Sequence, residues 1–175
     1  AAVVRSCSGG QMRWHDAAPS TETLLRDTGT ALLAQRAMLR DHGVVLAIEL
    51  HFEFTTHELL RLFEMCDADP GDWLGVVLDT MNVLTMLEDP IRATERILPW
   101  VVATHVKDGG LRAVSNGFET FPTAVGDGVV NLPGIIRRLA DSGRPVHLSV
   151  EDHGGTFVLE TRDECFLAKF PDLDR

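Results

Sequence analysis

The chain is short of cysteine, short of positive charge and without any long apolar run. Its three cysteines, Cys7, Cys66 and Cys165, are odd in number, and no two stand in a C-x-x-C spacing. That argues against a disulfide framework or a thiolate metal site, and for reduced thiols in a cytoplasmic protein. Lys and Arg total 16 against 26 Asp and Glu, a formal net charge of −10. Nucleic acid and anionic lipid repel so acidic a chain, so neither is an expected partner. No apolar stretch reaches the ~18 residues of a membrane-spanning helix. The start lacks the basic n-region and long apolar h-region of a signal peptide. No low-complexity segment or linker interrupts the 175 residues, so a single domain over 1–175 is expected.

What is present is an alternation of short apolar runs with amphipathic stretches. The runs fall at 2–7, 44–50, 74–78, 101–106 and 146–150, rich in Val, Ile and Leu and without period-2 alternation. Strands buried on both faces of a parallel sheet read this way. Strands are therefore expected at about 2–7, 44–49, 74–79, 101–106 and 146–151. Between them, Ser20 or Thr21 can cap a helix to about Arg40, closed by Gly43. Thr56 can cap a second, through Leu59, Leu62, Phe63 and Met65. Glu88-Asp89-Pro90 opens a third, stopped by Pro99, and Leu132-Pro133 a fourth, closed by Gly143. The segment 109–130 has no strong periodicity and reads as a long loop of the functional or mobile kind. Repeated βα units imply a parallel sheet with right-handed crossovers.

Four of the five runs end in residues that can ligate a metal. Ile48 is followed by Glu49, Leu78 by Asp79, Thr104 by His105 and Val150 by Glu151. A parallel barrel or sheet gathers the C-terminal ends of its strands on one face, where sites are built. Three carboxylates in such a mouth repel one another, and a divalent cation relieves that repulsion. One imidazole among oxygens suits Mn²⁺ or Mg²⁺ first, then Co²⁺ or Zn²⁺. A single acidic residue after a buried strand is ordinarily a helix cap or loop residue. Spacing alone leaves a shared site and four unrelated endings both open.

The segments Ile48-Glu49-Leu50-His51, Leu78-Asp79-Thr80-Met81-Asn82, Thr104-His105-Val106-Lys107-Asp108-Gly109 and Ser149-Val150-Glu151-Asp152-His153, in this order, resemble the signatures of the xylose-isomerase-like (β/α)₈-barrel superfamily. The segment Gly126-Asp127-Gly128-Val129-Val130-Asn131 is similar to that family's G-x-G stretch before its last barrel helix. The superfamily holds ketose 3-epimerases, hydroxypyruvate isomerase, inosose dehydratases and isomerases, and an endonuclease branch acting at abasic sites. The resemblance implies one divalent metal held by Glu49, Asp79, His105 and Glu151, with Glu49 and Glu151 also the acid/base pair of an isomerase or epimerase. The substrate implied is a small keto sugar or cyclitol, deprotonated beside its carbonyl to an enediolate. An inosose-type dehydratase is the alternative reaction, and a partial barrel that only binds metal the alternative class. His51, Asn82, Lys107 and His153 are the candidate substrate or supporting contacts.

Departures from the pattern narrow this further. Asn82 stands where the epimerases often carry a His, and the next Arg after His105 is Arg112, later than the family places one. Lys107 could take over the contact to a substrate anion, or could simply pair with Asp108. The DNA-cutting branch needs a three-metal cluster with extra His and Asp ligands that this chain does not supply. A complete barrel has eight βα units, and the resemblance covers strands four to eight, so an incomplete TIM barrel of about five units is expected. The opening Ala1-Ala2-Val3-Val4 already reads as buried strand, so further chain is expected ahead of it. Exposed strand edges in a partial barrel would favour pairing with another chain, a homo-oligomer included.

Overall fold

A computed structural model of the chain describes residues 2–10, 12–152 and 154–173. In chain order the elements are β1 (Ala2–Ser6), α1 (Thr21–Asp41), β2 (Val44–Glu49), α2 (Thr56–Met65), β3 (Leu74–Asp79), α3 (Asn82–Thr85) and α4 (Pro90–Ile97). They continue with β4 (Val101–Val106), β5 (Asp108–Val114), β6 (Gly117–Thr123), α5 (Leu132–Asp141), β7 (His147–Val150), β8 (Phe157–Leu159) and α6 (Glu164–Leu167). The five apolar runs form one parallel sheet in the order β1-β2-β3-β4-β7. It is curled into an open, incomplete (β/α) barrel.

Burial along the sheet is uneven. All six residues of β3 are buried, whereas Val4 in β1 is 48% exposed and Val150 in β7 66%. Both-face burial, expected for all five runs, is thus a property of the middle strands. Among the described residues β1 and β7 are the outer strands of the sheet, each paired with one neighbour.

Local chemistry explains the helices. Ser20 Oγ accepts from the Thr23 N–H at 3.2 Å and starts α1, and Gly43 follows its end with φ +59°. α2 begins one residue earlier than a Thr56 cap implies. Thr55 and Glu58 form a reciprocal capping box, each side chain bonding the other's backbone N–H. Thr56 instead gives its N–H and hydroxyl to the buried carboxylate of Glu88. Pro99 does not stop the third helix outright, because a 3₁₀ turn over Leu98–Trp100 carries it into β4. The main core lies between the sheet and α1, α2, α4 and α5, and is centred on Leu59, Leu62, Phe63, Trp73, Leu78 and Ile97. Each such side chain contributes about 1.5–3 kcal/mol by leaving water.

The stretch 109–130 is not a long loop. β5 and β6 form an antiparallel hairpin closed by Ser115-Asn116, and β8 adds to β6 as a third strand. Gly109, Gly110 and Pro122 dilute the apolar alternation that would have marked the strands, but the Asn116-Gly117 dipeptide is a hairpin signal. Gly117 has φ +152°, and a Cβ there would lie 2.1 Å from the Leu159 carbonyl oxygen, so β8 can close on β6 only over a glycine. A second apolar cluster of Phe52, Met86, Leu159, Phe166 and Phe170, with Trp14 against it, packs under this sheet. Among the described residues no helix is long and apolar enough to cross a membrane.

What remains of the expected loop is tied down by one side chain. The buried carboxylate of Asp108 accepts four backbone N–H groups, from Gly109, Gly126, Gly128 and Val130. The carboxylate meets Gly128 so closely that a Cβ there would sit 2.1 Å from Asp108 Oδ1. Gly128→Ala should therefore destabilise the fold by about 1–3 kcal/mol. Asp108→Asn, which turns an NH₂ toward N–H donors, should cost a similar amount. Urea midpoints measure both, and an unchanged Gly128→Ala midpoint would show that the loop is held some other way.

Candidate metal centre

The parallel register brings the four run-ending residues together. Glu49 and Asp79 are the last residues of β2 and β3, His105 is the last but one of β4, and Glu151 follows β7. Asp79 stands opposite His105 across the β3–β4 ladder, and His105 opposite Ser149 across β4–β7. One ligand atom of each of Glu49, Asp79, His105 and Glu151 lies within 4.8 Å of the others.

Each carboxylate is already held. Asp79, fully buried, accepts the Met81 and Asn82 N–H groups on Oδ1 at 3.0 and 2.8 Å, which turns the chain into α3. Its Oδ2 faces Lys107 Nζ at 2.9 Å. The same Nζ lies 2.5 Å from Glu151 Oε2, so Lys107 bridges two of the three acids. Glu49 Oε1 meets His105 Nδ1 at 2.8 Å, and Glu49 Oε2 accepts from Arg5 Nε at 2.5 Å. His105 Nδ1 is also 3.7 Å from Glu151 Oε2. Burial pushes the Asp79 carboxyl above its usual range, and Lys107 and the Asn82 N–H offset part of that. Burial alone would favour a neutral Lys107, but Asp79 and Glu151 outweigh it and raise its pKa.

This donor set fits a divalent cation. Oxygen and nitrogen ligands lie roughly 2.0–2.6 Å from such an ion, so two of them can be about 5 Å apart at most. The 4.8 Å spread observed falls inside that limit. Three oxygens and one imidazole make a hard, mixed set suited to Mg²⁺, Mn²⁺ or Zn²⁺.

The other candidates take distinct places. His51 lines the same mouth, with Nδ1 3.4 Å from Glu53 Oε1, and that carboxylate raises its pKa against the opposing effect of burial. Asn82 is buried and gives its amide to the Leu50 carbonyl at 3.2 Å, which ties α3 to the end of β2. Lys107 is not paired with Asp108, whose oxygens are taken by backbone N–H groups. His153 lies outside the described residues. Arg5 escaped the sequence reading, although a charged residue within the 2–7 apolar run was its signal.

A family model described as "Xylose isomerase-like TIM barrel" matches residues 13–165. The uncharacterized protein YihM of Escherichia coli K12 is 29% identical over 94 residues, which are 51% of this chain and 28% of YihM. A xylose isomerase-like TIM barrel protein from Mycobacterium smegmatis, solved in complex with magnesium, superposes with a TM-score of 0.67 at 17% identity, covering 89% of this chain and 56% of that one. L-ribulose 3-epimerase superposes with a TM-score of 0.66 at 20% identity, covering 96% and 52%. At these identities the likeness to the two solved structures is one of fold. The chain spans about half their length and just over a quarter of YihM.

Because Lys107 is 7% exposed and faces two acids, removing its charge leaves a carboxylate pair without its cation. Lys107→Met should cost about 3–5 kcal/mol in metal-free protein. Thermal denaturation in the presence of a chelator measures it. A variant that melts with the parent would show that the ammonium does not hold the cluster together.

Proposed function

The chain belongs to the xylose isomerase-like TIM-barrel family, and from that premise we propose that it is part of a metal-dependent isomerase or epimerase of a small keto sugar or related polyhydroxylated ketone. The observation that carries this reading is the mutual approach of Glu49, Asp79, His105 and Glu151 at the C-terminal ends of four neighbouring parallel strands. The fold likeness to L-ribulose 3-epimerase supports the reaction class, and the magnesium of the Mycobacterium smegmatis protein supports a divalent ion.

In this reading Glu49, Asp79, His105 and Glu151 hold the ion. When bound, a divalent ion polarises the substrate's carbonyl and hydroxyl oxygens and so acidifies the adjacent C–H bond. Glu151, 17% exposed at its side chain, takes the proton from that carbon, since it is the more accessible of the two glutamates. Glu49, 1% exposed, returns or relays a proton on the deeper side. Lys107 orients the Glu151 carboxylate through its 2.5 Å contact, and His51 and Phe52 wall the mouth.

Proton transfer by a positioned carboxylate is worth roughly 10²–10⁴-fold. Glu151→Gln should therefore slow solvent-deuterium incorporation into the substrate by about that factor while leaving the fold intact. Glu49→Gln should do the same and also weaken binding of Mn²⁺. Mass spectrometry of keto sugars incubated in D₂O with the manganese-loaded protein reads the exchange. Parent-rate exchange in both variants would show that neither glutamate carries the proton.

A further inference from the structure

β3 ends at Asp79, where Asp79 Oδ1 accepts the Met81 and Asn82 N–H groups and turns the chain into α3. On β4 the chain continues past that level, and Lys107 follows its last residue. The last backbone rung between the two strands runs from the Thr80 N–H to the His105 carbonyl at 3.1 Å. A parallel ladder would next take the Lys107 N–H to the Thr80 carbonyl. That N–H goes to the Thr80 hydroxyl instead, at 2.9 Å, and the same hydroxyl donates to the Lys107 carbonyl at 2.6 Å. One side chain thus satisfies both main-chain groups of Lys107, beyond the point where the neighbouring strand has turned away. Both residues are buried, so water is a poor replacement for either bond.

What the two bonds fix is the root of the lysine side chain. Lys107 Nζ stands 2.9 Å from Asp79 Oδ2 and 2.5 Å from Glu151 Oε2, acids that come from the strands on either side of β4. A flexible four-carbon stem keeps such a place only when its main chain is held. A displacement of about 1 Å at the ammonium is enough to loosen one of the two acids. Both bonds of the Thr80 hydroxyl are to Lys107, so its influence on the acids passes through that residue.

We propose that Thr80 is a positioning residue of this site: by fixing the main chain of Lys107 it sets the ammonium between Asp79 and Glu151, and with it the direction in which Glu151 meets a substrate. The effect on the reaction rests on the function proposed above, whereas the placing of the ammonium does not. The first readout is therefore the ammonium itself, by ¹H–¹⁵N correlation spectroscopy of the metal-free full chain. The chain has two lysines, Lys107 and Lys169, so one signal reports and the other is an internal reference; Lys107→Met assigns them. Thr80→Val, of the same shape without the hydroxyl, should speed exchange of the Lys107 ammonium protons with water by about 10-fold or broaden the signal away, with Lys169 unchanged. Thr80→Ala takes its place if the valine variant does not fold. Thr80→Ser, which keeps the hydroxyl, should stay within about twofold of the parent. The second readout is deuterium incorporation into a keto sugar by the manganese-loaded protein. Thr80→Val should slow it about 10–100-fold in the parent and add nothing in Lys107→Met, since the hydroxyl acts through that side chain. An unchanged Lys107 signal in Thr80→Val overturns the proposal. So does equal loss in Thr80→Ser, or a slowing of the same size with and without Lys107, which would make the threonine a merely structural residue. A parent that exchanges no deuterium would bring down the isomerase reading instead, and the ammonium signal then decides on Thr80 by itself.

Discussion

Three carboxylates converging at the open end of a parallel sheet set the terms for the rest of this structure. Strand topology forces the approach, because parallel neighbours must put their C-terminal ends side by side. In a medium of low dielectric such an approach is unfavourable unless cations or N–H donors accompany it. The chain supplies both. Lys107 bridges Asp79 and Glu151, Arg5 and His105 share the two oxygens of Glu49, and two backbone N–H groups hold Asp79 from behind. Each carboxylate is therefore held in place before any ligand arrives, which is the pre-organisation a binding site needs.

The same device recurs one strand along. Asp108 sits beside Lys107 in sequence, yet it faces four backbone N–H groups rather than an ammonium. The adjacent residues point opposite ways from the end of β4, one into the mouth and one into the loop before α5. Lys107 thus acts on the acids of the site while Asp108 shapes the wall beside it. A contact between the two would have left both the acids and the loop without their partner.

How much of this the sequence disclosed follows from how local each signal is. Strand positions came from composition over five or six residues, and the structure matches them to within a residue or so. Their order and parallel sense followed from the intervening helices. The convergence of Glu49, Asp79, His105 and Glu151 was legible because topology alone brings strand ends together. The β5–β6 hairpin was not, since Gly109, Gly110 and Pro122 interrupt its alternation and only the short turn at Asn116-Gly117 marks it. The α2 cap was misplaced by one residue because Thr55 and Thr56 are chemically alike, and only the reach of Glu58 separates them. Arg5, marked only as a charge inside an apolar run, was missed for a different reason. Its partner lies 44 residues away, and no local pattern encodes an ion pair across a parallel ladder.

Arg5 and Lys107, the two cations of the mouth, are held to different degrees. In β2 and β3 a side chain directed toward the mouth is walled by strands on both sides and becomes fixed, as Glu49 and Asp79 are. Arg5 of β1 keeps half of its side-chain surface exposed while still touching Glu49. A long flexible side chain at such a place can exchange one anionic partner for another at small cost, because its charge stays partly solvated throughout. Lys107, enclosed between two acids, has no such freedom. The enclosed cation maintains the cluster, and the more exposed one is the freer of the two to exchange its partner.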